Sequence, residues 1–138
     1  MGRRFELRTQ RLVIRPLDRA DVTAFVRYRN VPDVARYQDW PLPYTRDLAH
    51  ELVDEMDAIA GPTPGRWAQI AVEHGGELAG DVAVWLDATG ASGMIGYTLA
   101  PAYQGRGFAT EAVAAVLDWL FTGSPGHHPV HRVSATLD

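Results

Sequence analysis

Ile95-Gly96-Tyr97-Thr98-Leu99-Ala100-Pro101-Ala102-Tyr103-Gln104-Gly105-Arg106-Gly107-Phe108-Ala109-Thr110-Glu111-Ala112-Val113 is the stretch in which the chain changes its hydrophobic period. The apolar run Met94–Ala100 reads as a strand, and Pro101–Arg106 breaks it. From Ala109 onward, Ala112, Val113, Val116, Leu117 and Leu120 recur at three- and four-residue spacing, which predicts an amphipathic helix. Between them Gly105 and Gly107 allow a tight turn and a close backbone approach to a ligand. The helix that follows offers unpaired amides at its positive dipole end, which suits a pyrophosphate. A glycine-rich turn that binds nothing fits the two glycines equally well. A dinucleotide-binding turn fits less well, because Thr110 stands where that pattern has its third glycine. No GxxxxGK[ST] loop is present.

Outward from this stretch, Val130–Leu137 reads as a further strand, so strand, helix and strand form a parallel crossover. Upstream, Trp67–Glu73 and Leu78–Leu86 flank the turn His74-Gly75-Gly76-Glu77, a hairpin pattern, with Gly80 a bulge or close-packing point. Leu12–Leu17 predicts an early strand near Phe5–Leu7. Asp18 and Asp21 suit a cap before a helix through Phe25 and Arg29, which Pro32 interrupts. Thr45 is placed to cap a second helix carrying Leu48, Leu52, Val53, Met56 and Ile59. The expected fold is therefore α/β: a mixed, mostly antiparallel sheet with flanking helices, in one domain spanning residues 1–138. Trp67, Trp85 and Trp119 are expected in its core.

Composition narrows the function classes. Hydrophobic residues make up 46%, charged residues 22%, and the formal charge is −4, with basic residues scattered. Neither a nucleic-acid face nor a membrane anchor is expected from that pattern. The absence of cysteine removes thiolate nucleophiles and thiolate metal ligands. His127, His128 and His131 lack a convincing ligand spacing, so no metal is expected. The N-terminal MGRRFELRTQRL lacks an apolar signal segment, and a cytoplasmic location is the default.

The whole run resembles the acyl-CoA-binding element of the GCN5-related N-acetyltransferase (GNAT) superfamily: Gln or Arg, two residues, Gly, one residue, then Gly or Ala. Gln104, Gly107 and Ala109 match it. RLVIRPL at Arg11–Leu17 and GELAGDVAVWLD at Gly76–Asp87 extend the likeness toward the branch containing ribosomal-protein N-terminal acetyltransferases. The resemblance implies an acetyl-CoA-dependent transfer to a primary amine of a small molecule or of a peptide or protein N-terminus. Backbone groups at Thr98 and Leu99 would bind the pantetheine arm, Leu99 polarising the thioester carbonyl. Gln104, Gly105, Arg106, Gly107, Phe108, Ala109 and Thr110 would surround the pyrophosphate, with Gly107 the leading position. Tyr37, Trp40 and Tyr44 fall in the segment resembling an acceptor-binding wall.

Two departures qualify these expectations. Relatives often carry Glu at the start of the strand where this chain has Met94. Glu73 is then the candidate base, with His74 and Asp81 as chemically competent alternatives, each of which reads as an exposed turn or strand residue. The family's C-terminal helix and closing hairpin do not follow Asp138, so the expected domain is a C-terminally truncated one. A noncatalytic CoA-binding or self-associating domain, such as a homodimer covering the last strand, is the competing expectation.

Overall fold

The computed structural model describes residues 5–36, 38, 40–59, 61–122, 130 and 132–136. Six strands form one sheet in sequence order: β1 (Leu7–Arg8), β2 (Val13–Pro16), β3 (Trp67–His74), β4 (Glu77–Leu86), β5 (Ser92–Leu99) and β6 (Arg132–Thr136). All neighbours are antiparallel except β5 and β6, which pair in parallel from Ser92↔Arg132 to Gly96↔Thr136. The mixed, mostly antiparallel sheet and its parallel last pair are as the sequence predicts. β5 starts earlier than Met94, because Asp87 closes a short turn by donating its N–H to Ser92 O at 2.9 Å.

The helices are α1 (Val22–Arg29), α2 (Pro32–Ala35), α3 (Arg46–Asp57) and α4 (Phe108–Thr122). A 3₁₀ turn, Arg19–Asp21, leads into α1. There Asp18 accepts from the Ala20 N–H, while Asp21 accepts from the Asp18 N–H at 2.9 Å. This reciprocal cap satisfies donors that the helix start leaves free. Pro32 opens α2 at a position where its missing N–H costs nothing. Thr45 caps α3 through its hydroxyl and the Leu48 N–H.

Register places three rows side by side on one face of β3, β4 and β5: Trp67–Trp85–Met94, Gln69–Ala83–Gly96 and Ala71–Asp81–Thr98. The alternate row Ala68–Val84–Ile95 is buried, as are Ile70 and Val82. Phe25, Phe108 and Leu120 complete the core; each fully buried side chain of this size stabilises by roughly 1.5–3 kcal/mol. The middle row of the first face contains Ala83 and Gly96, whose small side chains leave a hollow between taller neighbours.

Two burial expectations are corrected. Trp67 is 50% exposed instead of lying in the core, because it stands at the start of β3 and leans on Trp85 at 5.8 Å between ring centres. Asp81 is 2% exposed instead of facing solvent, because α1 covers it with Tyr28 and Arg29. Trp119 is partly buried, edge-on to Phe5. His127, His128 and His131 lie outside the described residues.

Candidate active site

β5 ends at Leu99, and a 3₁₀ turn (Pro101–Tyr103) carries the chain into Gln104. Gly105 and Gly107 then take φ of 73° and 78°, a region that side chains rarely adopt, before α4 begins. The first helical hydrogen bond runs from the Glu111 N–H to Gly107 O at 3.1 Å, so the amides of Phe108, Ala109 and Thr110 precede it. Gln104 Nε2 donates to Leu99 O at 3.1 Å and fastens the turn back onto the strand.

The loop is also held from outside. Arg11 Nε donates to Glu111 Oε1 at 2.7 Å, and Arg11 Nη1 donates to Arg106 O at 3.0 Å. The guanidinium also lies 4.3 Å from the centre of the Phe108 ring. The Thr9 hydroxyl donates to the same Glu111 carboxylate, and these donors hold its pKa below the usual carboxylate value, Thr9 contributing most. The Phe108 side chain is thus a buried anchor, and only its amide remains for a ligand. The Arg106 side chain turns back to Ala102 O at 3.3 Å.

Two cavities meet here. One, of about 370 Å³, is lined by Asp33, Val34, Gln38, Tyr97, Thr98, Leu99, Gln104, Gly105 and Ala109. The other, of about 270 Å³, lies over the small-residue row, with Gln69, Ala83 and Gly96 in its lining and Asp81, Arg29 and Trp40 at its side. Gln38, Tyr97 and Thr98 line both. Gly105 contributes to the first cavity, and a Cβ built on it would meet nothing within 4 Å. A Cβ on Gly107 would point to Arg11 Nη2 at 3.4 Å, so Gly107 shapes the loop against its clamp and Gly105 presents backbone to the hollow.

Asp81 accepts hydrogen bonds from Tyr28 Oη and Gln69 Nε2. Burial raises its pKa above the ordinary carboxylate value, although Arg29, Tyr28 and Gln69 oppose that shift. Burial also pushes the Tyr28 phenol well up, as does the Asp81 charge.

The Acetyltransferase (GNAT) domain model matches residues 11–138. The chain belongs to the GNAT acetyltransferase family. A curated relative, the uncharacterized N-acetyltransferase p20 of Bacillus licheniformis, is 27% identical over 118 residues, covering 84% of this chain and 66% of its own length. Among solved structures, a GNAT-family acetyltransferase from Bacillus anthracis superposes with a TM-score of 0.66 at 23% identity, covering 85% of this chain and 66% of that one. Vibrio cholerae spermidine N-acetyltransferase, in complex with CoA and spermine, gives 0.65 at 24% identity, covering 83% and 66%. Mycobacterium smegmatis RimJ, in complex with CoA-disulfide, gives 0.67 at 26% identity, covering 91% and 61%. The chain therefore spans about two thirds or less of the length of these relatives.

Within this GNAT fold, Thr98, Leu99, Gln104, Gly105 and Ala109 come together around one cavity. Arg106, Gly107, Phe108 and Thr110 adjoin it along the loop and the first turn of α4. Trp40 lines the second cavity. Tyr44 is buried behind it, edge-on to Phe25 at 5.7 Å and to Trp40 at 6.4 Å. Tyr37 lies outside the described residues. Glu73 lines neither cavity, and its Oε1 accepts from Arg15 Nε at 3.1 Å. Met94 is 41% exposed and borders a shallower hollow with Trp85 and Arg132. Arg29, Gln38 and Gln69 carried no recognisable sequence signal, since a polar residue at a helix end or on a strand is ordinary.

Proposed function

We propose that the chain binds acetyl-CoA in the larger cavity and transfers the acetyl group to a primary amine seated in the smaller one. The observation that carries this reading is the shared wall of Gln38, Tyr97 and Thr98, which brings the two hollows together beside the free amides of the loop. Direct attack of the amine on the thioester carbonyl needs two services: removal of the amine's proton and stabilisation of charge developing on oxygen. Backbone groups of Thr98, on the common wall, and of Leu99, in the larger cavity, are the candidates for the second service. For the first, Asp81 is the better candidate than Glu73, since it lines the smaller cavity and burial raises its basicity. The acceptor is a small molecule or a peptide N-terminus.

Calorimetric titration with CoA, paired with acetyl-CoA consumption over a panel of amines, tests the reading. Saturable one-to-one binding and an acetylated amine are expected. Binding without turnover of any amine would leave a CoA-binding domain in place of an enzyme. Failure to bind CoA would remove the cradle itself.

A further inference from the structure

The smaller cavity holds two opposite charges in a loose ion pair. Arg29 Nη2 lies 4.0 Å from Asp81 Oδ1, too far for a hydrogen bond. Arg29 is only 8% exposed, and its Nε has no hydrogen-bond partner among the described residues. Its guanidinium faces are occupied: the central carbon sits 4.1 Å from the Phe25 ring centre, 4.1 Å from Trp40 and 4.9 Å from Tyr44. Trp40 is itself fixed, its Nε1 donating to Arg29 O at 2.9 Å. Stacking uses the faces of a guanidinium and leaves the N–H edges for a planar anion. Among the described residues Asp81 has two donors, Tyr28 and Gln69, while an ionised carboxylate can accept about four hydrogen bonds. Asp81 therefore keeps unspent accepting capacity at one small hollow, and Arg29 lines the same hollow with a stacked, nearly buried guanidinium.

A ligand that satisfies both must carry an ammonium and a carboxylate close together. We infer that the smaller cavity is built for a zwitterion, a free α-amino acid whose ammonium faces Asp81 and whose carboxylate takes the N–H edge of Arg29. A polyamine would bring uncompensated positive charge to Arg29. A peptide N-terminus supplies the ammonium without a carboxylate on the same carbon. At about 270 Å³ the hollow suits one small molecule, and Trp40, Trp67 and Tyr97 offer apolar surface to its side chain. This inference deepens the acetyltransferase reading and relies on it for the transfer step, whereas the binding preference can be measured without turnover.

Phenylalanine, leucine and methionine, each beside its α-amide, together with spermidine and the dipeptide Phe-Ala, are titrated calorimetrically into the CoA-loaded protein. At least one acid should bind roughly tenfold or more tighter than its amide, the dipeptide or spermidine, the scale expected of a charge-assisted pair. In Arg29→Gln that preference should fall to roughly twofold, with Arg29→Lys keeping part of it. Unchanged CoA affinity reports that each variant is folded; if either variant fails that check, the wild-type acid-against-amide comparison decides alone. Amides or spermidine that bind as well as the acids, or three acids that do not bind a CoA-competent protein, would overturn the inference. Tight, carboxylate-dependent binding with no acetylated product would retain the zwitterion site and remove the acetyltransferase reading.

Discussion

Asp81 and Glu73 sit on adjacent strands, and their surroundings give them opposite characters. Glu73 is paid in charge by Arg15, which also makes a paired contact with Asp21 at 2.8 and 2.9 Å. Asp81 is closed under α1, and burial outweighs its donors in setting its pKa. If Asp81 takes the proton, its unprotonated form is required, so kcat/KM should rise with pH through a value above the ordinary carboxylate pKa and fall below it. Asp81→Asn should cost roughly 10²–10⁴-fold in kcat/KM with CoA affinity kept, measured by acetyl-CoA consumption. Glu73→Gln should leave the rate within a few fold. Loss of activity in Glu73→Gln with a normal rate in Asp81→Asn would reverse the assignment. The same raised pKa acts on folding. The folded state holds the proton more tightly than the unfolded chain, so the associated stability is fully present below the unfolded pKa. It is lost as pH rises through the folded pKa. Urea unfolding of the wild type should show that decline, and Asp81→Asn should not. Sequence alone could not separate these carboxylates, because strand alternation reports a face and says nothing of what covers it.

At the scale of elements, the loop between β5 and α4 was legible because its glycines and the change of period are local signals. Its clamp was not. Arg11 arrives from the turn between β1 and β2, 95 residues before the Arg106 carbonyl it holds. A contact made by folding leaves no local pattern to read. The two glycines also divide their work in a way that spacing could not show. Gly105→Val should weaken CoA binding at least roughly tenfold, by strain at a positive φ and by intrusion into the hollow. Arg11→Ala should weaken CoA binding through a looser loop, while costing only about 1 kcal/mol of stability, since its side chain is 39% exposed. Calorimetry and urea unfolding on both variants check these outcomes. Equal CoA affinity in Gly105→Val and wild type would place the ligand elsewhere.

Across the whole molecule, the β3–β4 hairpin and the parallel last pair were readable from the turn His74–Glu77 and from the helix between β5 and β6, whereas the full strand order was not. Large apolar side chains were less readable, because hydrophobicity marks a residue as costly to expose without saying whether it stays exposed. Trp67 and Met94 remain open at the edge of the face that holds the smaller cavity. The hollow itself comes from what is missing there, the side-chain bulk absent at Ala83 and Gly96. Substituting Ala83→Leu should fill that hollow and abolish acceptor binding while CoA still binds, which calorimetry with each ligand would read. If acceptor affinity survives, the acceptor does not lie over the small-residue row.

Gln38, Tyr97 and Thr98 belong to both cavities at once, and thermodynamics attaches a condition to such joint ownership. Whatever factor CoA imposes on the dissociation constant of the amine, the amine must impose on that of CoA. Four titrations, each ligand with and without the other, close a cycle around the common wall. A factor of one on both legs would mean that these three residues divide two independent compartments; any other value measures how far the two occupants communicate through them.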